Sequence, residues 1–231
     1  MIWRENYLFF YLITTLFIIG ISPLLLFDKV SFFMLANQWH HPIADYIAPY
    51  LTWAGDGLTY GCFILISAVL RTSCRKILIM GSSFVCMSLV VQLLKHLVFA
   101  HMVRPIAAVP LDANLHLVNG VKVLTHLSFP SGHSASIFTL VSVIQLLSKS
   151  KKEIYSLMLV LLALMIAYSR MYLCQHFYTD IYVGALIGTL STIVVYLVCM
   201  HFKGPHWFNR SVYFFIVKYG ARWSLNKLPQ K

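Results

Sequence analysis

The chain has 231 residues, of which 59% are apolar (AVILMFWYC) and only 11% charged, whereas an average soluble domain is roughly 45–50% apolar and about 25% charged. At a mean hydropathy of +0.76 a water-soluble globule could not cover so much apolar surface, so lipid is part of the solvent. Disordered, fibrous and disulfide-stapled classes are excluded, and the formal net charge of +11 is first a question of membrane topology, not of nucleic acid.

Six apolar runs are predicted as membrane helices, at residues 7–27, 58–70, 77–99, 134–147, 154–173 and 181–202, since a span needs about 20 mostly apolar residues. The second and fourth are short and are expected to extend, toward Trp53 and into Gly132. The first run has only Arg4 before it and no small-residue cleavage site, so it reads as a retained helix, not a signal peptide. Residues 28–57, with Trp39-His40-His41-Pro42, are expected to hold a short interfacial helix. In 101–130, Asn119-Gly120 predicts a hairpin turn between 115–118 and 121–124. The tail from 207 to 223 mixes aromatic residues with Arg210, Lys218 and Arg222, the pattern of an amphipathic helix on an anionic surface. The five cysteines include no CxxC pair and read as small core hydrophobes. No repeat or charged insert divides the chain. It reads as one all-α, polytopic membrane domain over 1–231, with a core at 58–202 and a basic tail at 203–231.

Charge orients it. Arg4, the turns Arg71–Lys76 and Lys149–Lys152, and the tail carry thirteen of the eighteen Lys and Arg residues. The positive-inside rule makes that side, with both termini, cytoplasmic.

Ionisable residues inside membrane segments are costly and mark functional sites by default. Three clusters stand at the outward ends of the last four helices. The first is Lys95, eight residues, then Arg104-Pro105. The second is Ser128-Phe129-Pro130-Ser131-Gly132-His133, where Ser131 can cap a helix and the helix N-terminus offers backbone N–H groups to an anion. The third is Ser169-Arg170, then His176 and Asp180, which at a spacing of four share one helix face. A carboxylate beside an imidazole fixes its tautomer and prepares it as a nucleophile. Three cations, two histidines, one carboxylate and an anion-binding helix start suit a phosphate. No cluster supplies the carboxylates of a Mg²⁺ or Ca²⁺ site, and HExxH is absent, so no metal and no cofactor are expected.

With Pro130–His133 and with Ser169-Arg170, His176 and Asp180, the chain resembles the type 2 phosphatidic acid phosphatase (PAP2) family, the membrane branch of the superfamily containing the acid phosphatases and vanadium haloperoxidases. Its first motif departs from the family in having eight residues, not six, between Lys95 and Arg-Pro. The resemblance implies an acid-phosphatase-like helical bundle and a lipid phosphatase. His176 would be the nucleophile that becomes a phosphohistidine, with Asp180 orienting it and His133 donating a proton to the leaving oxygen. Lys95, Arg104, Arg170, Ser131 and the Gly132 N–H would hold the phosphate. The expected partners are a phosphorylated lipid and the bilayer, without nucleic acid, and the expected location is a bacterial inner membrane with the site facing outward. Lipid A phosphate, undecaprenyl diphosphate, phosphatidylglycerophosphate and phosphatidic acid are the candidate substrates, the compact outer loops leaving room for a headgroup as bulky as lipid A. Phe9, Phe10, Phe17, Phe32 and Phe33 could line a groove for the lipid chain, but for any one of them lipid-facing packing is the expected role. A phosphotransferase using the same residues, and a lipid transporter or flippase, are the other readings.

Overall fold

The computed structural model describes residues 2–110, 113–148, 153–202, 204–215 and 218. Eight helices carry the fold: α1 (Tyr7–Leu26), α2 (Lys29–Asn37), α3 (Pro42–Trp53), α4 (Gly57–Val69), α5 (Cys74–Leu93, continued by a π turn, Leu94–Val98), α6 (Gly132–Leu147), α7 (Glu153–Tyr172) and α8 (Tyr178–His201). Four of these are long and apolar enough to cross a membrane: α1, α5 with its π turn, α7 and α8. The apolar helices α4 and α6 are shorter, 13 and 16 residues. Large apolar side chains face outward, among them Ile18, Leu25, Met158 and Val198, as lipid-facing positions do.

Helix starts follow local chemistry. Asp28 and Asp56 accept from the N–H groups of Ser31 at 2.8 Å and Leu58 at 3.1 Å, and His41 Nδ1 accepts from Ile43 N at 3.2 Å with Pro42 in the first turn of α3. The run 58–70 therefore begins at Gly57 without reaching Trp53, and 134–147 extends to Gly132 as expected. Segment 28–57 holds two helices where one was expected. Asn119-Gly120 does make a turn, with Gly120 at φ 78°, but no strand ladder flanks it. The only pairings among the described residues are isolated bridges, Val103 with His126 and Ser73 with Ser211. Residues 115–127 spend their hydrogen-bonding groups on the rest of the protein instead. The basic turn 149–152 and much of the tail lie outside the described residues. The described part of 207–223 belongs to a 3₁₀ turn, His206–Asn209, and a helical stretch over 212–215.

The core centres on α6, 11 of whose 16 residues are buried, against α7 and α8. Gly184 and Gly188 set the closest approach. A Cβ on Gly188 would stand 2.2 Å from Ala135 O, and one on Gly184 2.4 Å from Ser131 O. This G-x-x-x-G lets two backbones touch where lipid supplies no hydrophobic drive between helices. Gly188→Val should therefore push α8 off α6 at a cost of about 1–3 kcal/mol or more. Thermal melting in detergent reads this as a marked drop, and an unchanged melting temperature would refute the contact. At the end of the bundle away from Gly132, Gln145 donates to Asn6 Oδ1 at 3.0 Å and accepts from Ser156 Oγ at 3.1 Å.

Of the five phenylalanines read as facing lipid or lining a chain groove, Phe9, Phe10 and Phe33 do neither and are buried in the core. Phe17 and Phe32 do line an apolar cavity of about 460 Å³ among α1, α2, α7 and α8, with Leu16, Met171, Ile181 and Ala185. The periodicity of one helix cannot tell a bundle-facing ring from a lipid-facing one, because both solvents are apolar. Cys174 is buried, whereas Cys62 is exposed on the outside of the bundle.

Candidate active site

The loop between α7 and α8 is shaped by Arg170, whose carbonyl accepts from Gln175 N at 2.9 Å and His176 N at 3.3 Å, while Cys174 turns the chain at φ 55°. This seats His176 in the interior, 2% exposed. Its Nδ1 lies 3.3 Å from Asp180 Oδ2. The same oxygen accepts from Phe177 N at 3.0 Å and from Ser128 Oγ. Asp180 thus caps the first turn of α8 and, as an acceptor, fixes the proton of His176 on Nδ1. That leaves the Nε2 lone pair 3.5 Å from Arg104 Nη1. Burial, only partly offset by the Asp180 hydrogen bond, pushes the His176 pKa down to about 3. The ring is neutral at physiological pH and Nε2 is available.

Arg104 is 6% exposed. Its Nε donates to His126 O at 2.9 Å, and Nη1 donates to Gln175 O at 3.0 Å and Gln175 Oε1 at 3.1 Å. Nη2 keeps only a 3.5 Å contact to Leu127 O. Desolvation lowers its pKa from the ordinary arginine value, offset in part by Asp180. Arg170 donates from Nη1 to Thr52 Oγ1 of α3 at 2.8 Å. Its buried Nε has no hydrogen-bond partner among the described residues, a donor in position for an anion. Lys95 sits in the π turn that ends α5, within electrostatic reach of Arg104, Arg170 and Asp180. The long spacer is taken up by that π turn and the bend after it, where Met102 N donates to Phe99 O at 3.0 Å; Arg104 N then donates to Thr125 O at 2.8 Å.

His133 stands in the first turn of α6, within electrostatic reach of Arg170, Lys95 and Arg104. Ser131 caps that helix, its Oγ accepting from Ser134 N at 3.4 Å, and its own N–H donates to Asp180 O at 3.0 Å. The N–H groups of Gly132 and His133 precede the first intrahelical bond. The structure thus brings all eight sequence-selected residues to one end of the bundle. It adds three partners that sequence reading missed: Ser128, Thr52 and Gln175. Ser128 lies in the second motif and was within reach; nothing local marks Thr52.

A second polar cluster stands beside this one. Asp45 accepts from His116 Nε2 at 2.8 Å and from the Tyr172 hydroxyl, and the His116 ring stacks on His40 at 3.9 Å. Those two hydrogen bonds hold the Asp45 carboxyl below its usual range. The cluster ties α3 to the loop that supplies the Arg104 acceptors.

Two solved structures share the fold. The chain is 28% identical to Aquifex aeolicus LpxE, with a TM-score of 0.62 over 74% of this chain and 96% of that one. It is 21% identical to the transmembrane PAP2-type phosphatidylglycerolphosphate phosphatase of Bacillus subtilis, with a TM-score of 0.61 over 87% and 98%. No curated protein matches at the sequence level. The apolar helices and a transmembrane neighbour of the same fold describe a multi-pass membrane protein. The family profile of the PAP2 superfamily matches residues 76–203, more than half the chain and the whole stretch from Lys95 to Asp180, and the chain belongs to that superfamily.

Proposed function

We propose that this protein is a membrane lipid phosphatase that removes phosphate from a lipid headgroup through a phosphohistidine on His176. One observation carries this most directly: a buried, neutral imidazole whose Nδ1 faces a carboxylate and whose Nε2 faces a guanidinium. In the first step Nε2 bonds to phosphorus as the bond to the lipid oxygen breaks, and His133 gives that oxygen a proton. In the second, water attacks phosphorus, His133 takes back a proton, and phosphate leaves His176 neutral. Throughout, Asp180 holds the Nδ1 proton and balances the positive charge on the phosphorylated ring.

Lys95, Arg104 and Arg170 neutralise the phosphate oxygens, the positioning and charge compensation that phosphoryl transfer chiefly requires. Arg170 Nε and Arg104 Nη2 are the donors with slack to offer. Gly132 admits the ligand close to the helix start: a Cβ there would meet only Val91, at 3.9 Å, so protein packing does not demand a glycine. Among the described residues no group of three His, Cys, Asp or Glu side chains is arranged for a metal ion. The apolar cavity beside α7 and α8 supports a hydrocarbon-bearing substrate. We assign six spans, counting α4 and α6, with both termini cytoplasmic and the site at the outer face of a bacterial inner membrane.

Purified protein should release phosphate from at least one of phosphatidic acid, phosphatidylglycerophosphate, undecaprenyl diphosphate and lipid A phosphate, in detergent with EDTA present. Activity restored only by added Mg²⁺ would contradict a cation-only site, and inertness toward all four lipids would remove the proposed function.

A further inference from the structure

We infer that Gln175 is a positioning residue: it clamps the Arg104 guanidinium opposite His176 and ties it to the outer loop, while leaving its positive charge unspent. This rests on the reading of Arg104 as a phosphate-binding cation.

The geometry is closed on both sides of the Gln175 amide. Oε1 and the main-chain oxygen of Gln175 both accept from Arg104 Nη1, at 3.1 and 3.0 Å. Nε2 donates to Lys122 O at 2.9 Å. A carbonyl on one side and a guanidinium on the other leave the amide one sensible orientation, since the flipped form would set donor against donor and acceptor against acceptor. The residue is 4% exposed, and its backbone is fixed by the bond from its N–H to Arg170 O. One short stretch therefore holds a phosphate cation at 170, the clamp at 175 and the nucleophile at 176.

What the clamp is made of matters as much as where it stands. The hydrogen-bond acceptors around Arg104 among the described residues are the carbonyls of His126, Leu127 and Gln175 and the Gln175 side-chain oxygen, together with the His176 ring nitrogen. All are neutral. A carboxylate in the place of Oε1 would hold the guanidinium equally well, but it would cancel the charge that an incoming phosphate needs. Arg104 also requires such a holder. It follows an irregular connection, residues 99–103, and stands only as the cap of the four-residue helix Pro105–Ala108.

Two variants separate positioning from simple structural support. Gln175→Met keeps size and burial but removes the amide. Gln175→Glu keeps the acceptor beside Arg104 and adds a negative charge. Each should weaken binding of inorganic phosphate, measured by calorimetry on the purified protein in detergent, on the order of 10- to 100-fold, because a hydrogen bond to a charged group is involved. Gln175→Glu also loses the donor to Lys122 O, so its affinity is read on protein whose melting curve shows that it remains folded. Combining Gln175→Met with Arg104→Met should weaken phosphate binding no further than Arg104→Met alone, since both remove one unit. Wild-type phosphate affinity in a folded Gln175→Glu protein, or effects that multiply in the double variant, would overturn the inference. The binding readout needs no turnover, so it stays separate from any failure of the lipid phosphatase reading.

Discussion

His176→Ala should lower phosphate release by on the order of 10⁴-fold or more while leaving the protein folded, because no other side chain can take over the attacking lone pair. The ring is buried against Asp180 on one edge and Arg104 on the other. Desolvation is the largest cause of its depressed pKa. The sign of the pH dependence follows. A protonated imidazole has no lone pair, and an ordinary histidine protonates below about pH 6.5. The depression keeps the His176 lone pair available well below that point, so kcat/KM should not fall near pH 6.5 on account of this residue. Steady-state assays from pH 4 to 8, alongside melting curves, measure both effects. A folded His176→Ala protein with wild-type rates would end the nucleophile assignment.

Asp180→Asn should cost roughly 10²- to 10⁴-fold in kcat, in the range seen when an orienting carboxylate becomes an amide, with a small change in stability. Oδ2 receives three donors, Ser128 Oγ, Phe177 N and His176 Nδ1. An asparagine oxygen in the same place has two lone pairs and can keep two of the three, including the Phe177 N–H that caps α8, so the local fold survives. The negative charge does not, and that charge is what stabilises the ring once Nε2 is bonded to phosphorus. Asp180→Ala, by contrast, leaves buried donors unpaired and should lower melting temperature as well as rate. Comparing the two variants by kcat and by melting separates the electrostatic role from the structural one. Equal rates for Asp180→Asn and the parent would show that the charge is idle.

The helical layout was legible because lipid imposes long apolar runs with charged breaks, and the six runs correspond to α1 and α4 through α8. The motif residues were legible because ionisable groups are conspicuous in an apolar chain. Even so, Lys95, Arg104, His133 and His176 meet only through folding across the loops. Gly184-x-x-x-Gly188 was a readable packing signal that went unused, and His41-Pro42 marked the start of α3. The Asn119-Gly120 hairpin failed for a different reason. The turn chemistry was right, but a ladder also needs partners, and this loop's hydrogen-bonding groups go to Gln175, Arg104, Asn37 and Asp45 instead. Such links pair residues up to 79 positions apart, as Asn37 and His116 are, and no local periodicity encodes them. Gln175 was invisible for the same reason: a polar residue next to a histidine has no pattern until Arg104 arrives beside it.

The most direct test is to quench the protein during turnover of a ³²P-labelled lipid phosphate and map the label. The expected result is an acid-labile phosphoryl group on the peptide containing His176, absent from His176→Ala. Acid-stable label, label on another peptide, or steady turnover with no labelled protein under single-turnover quenching would contradict it.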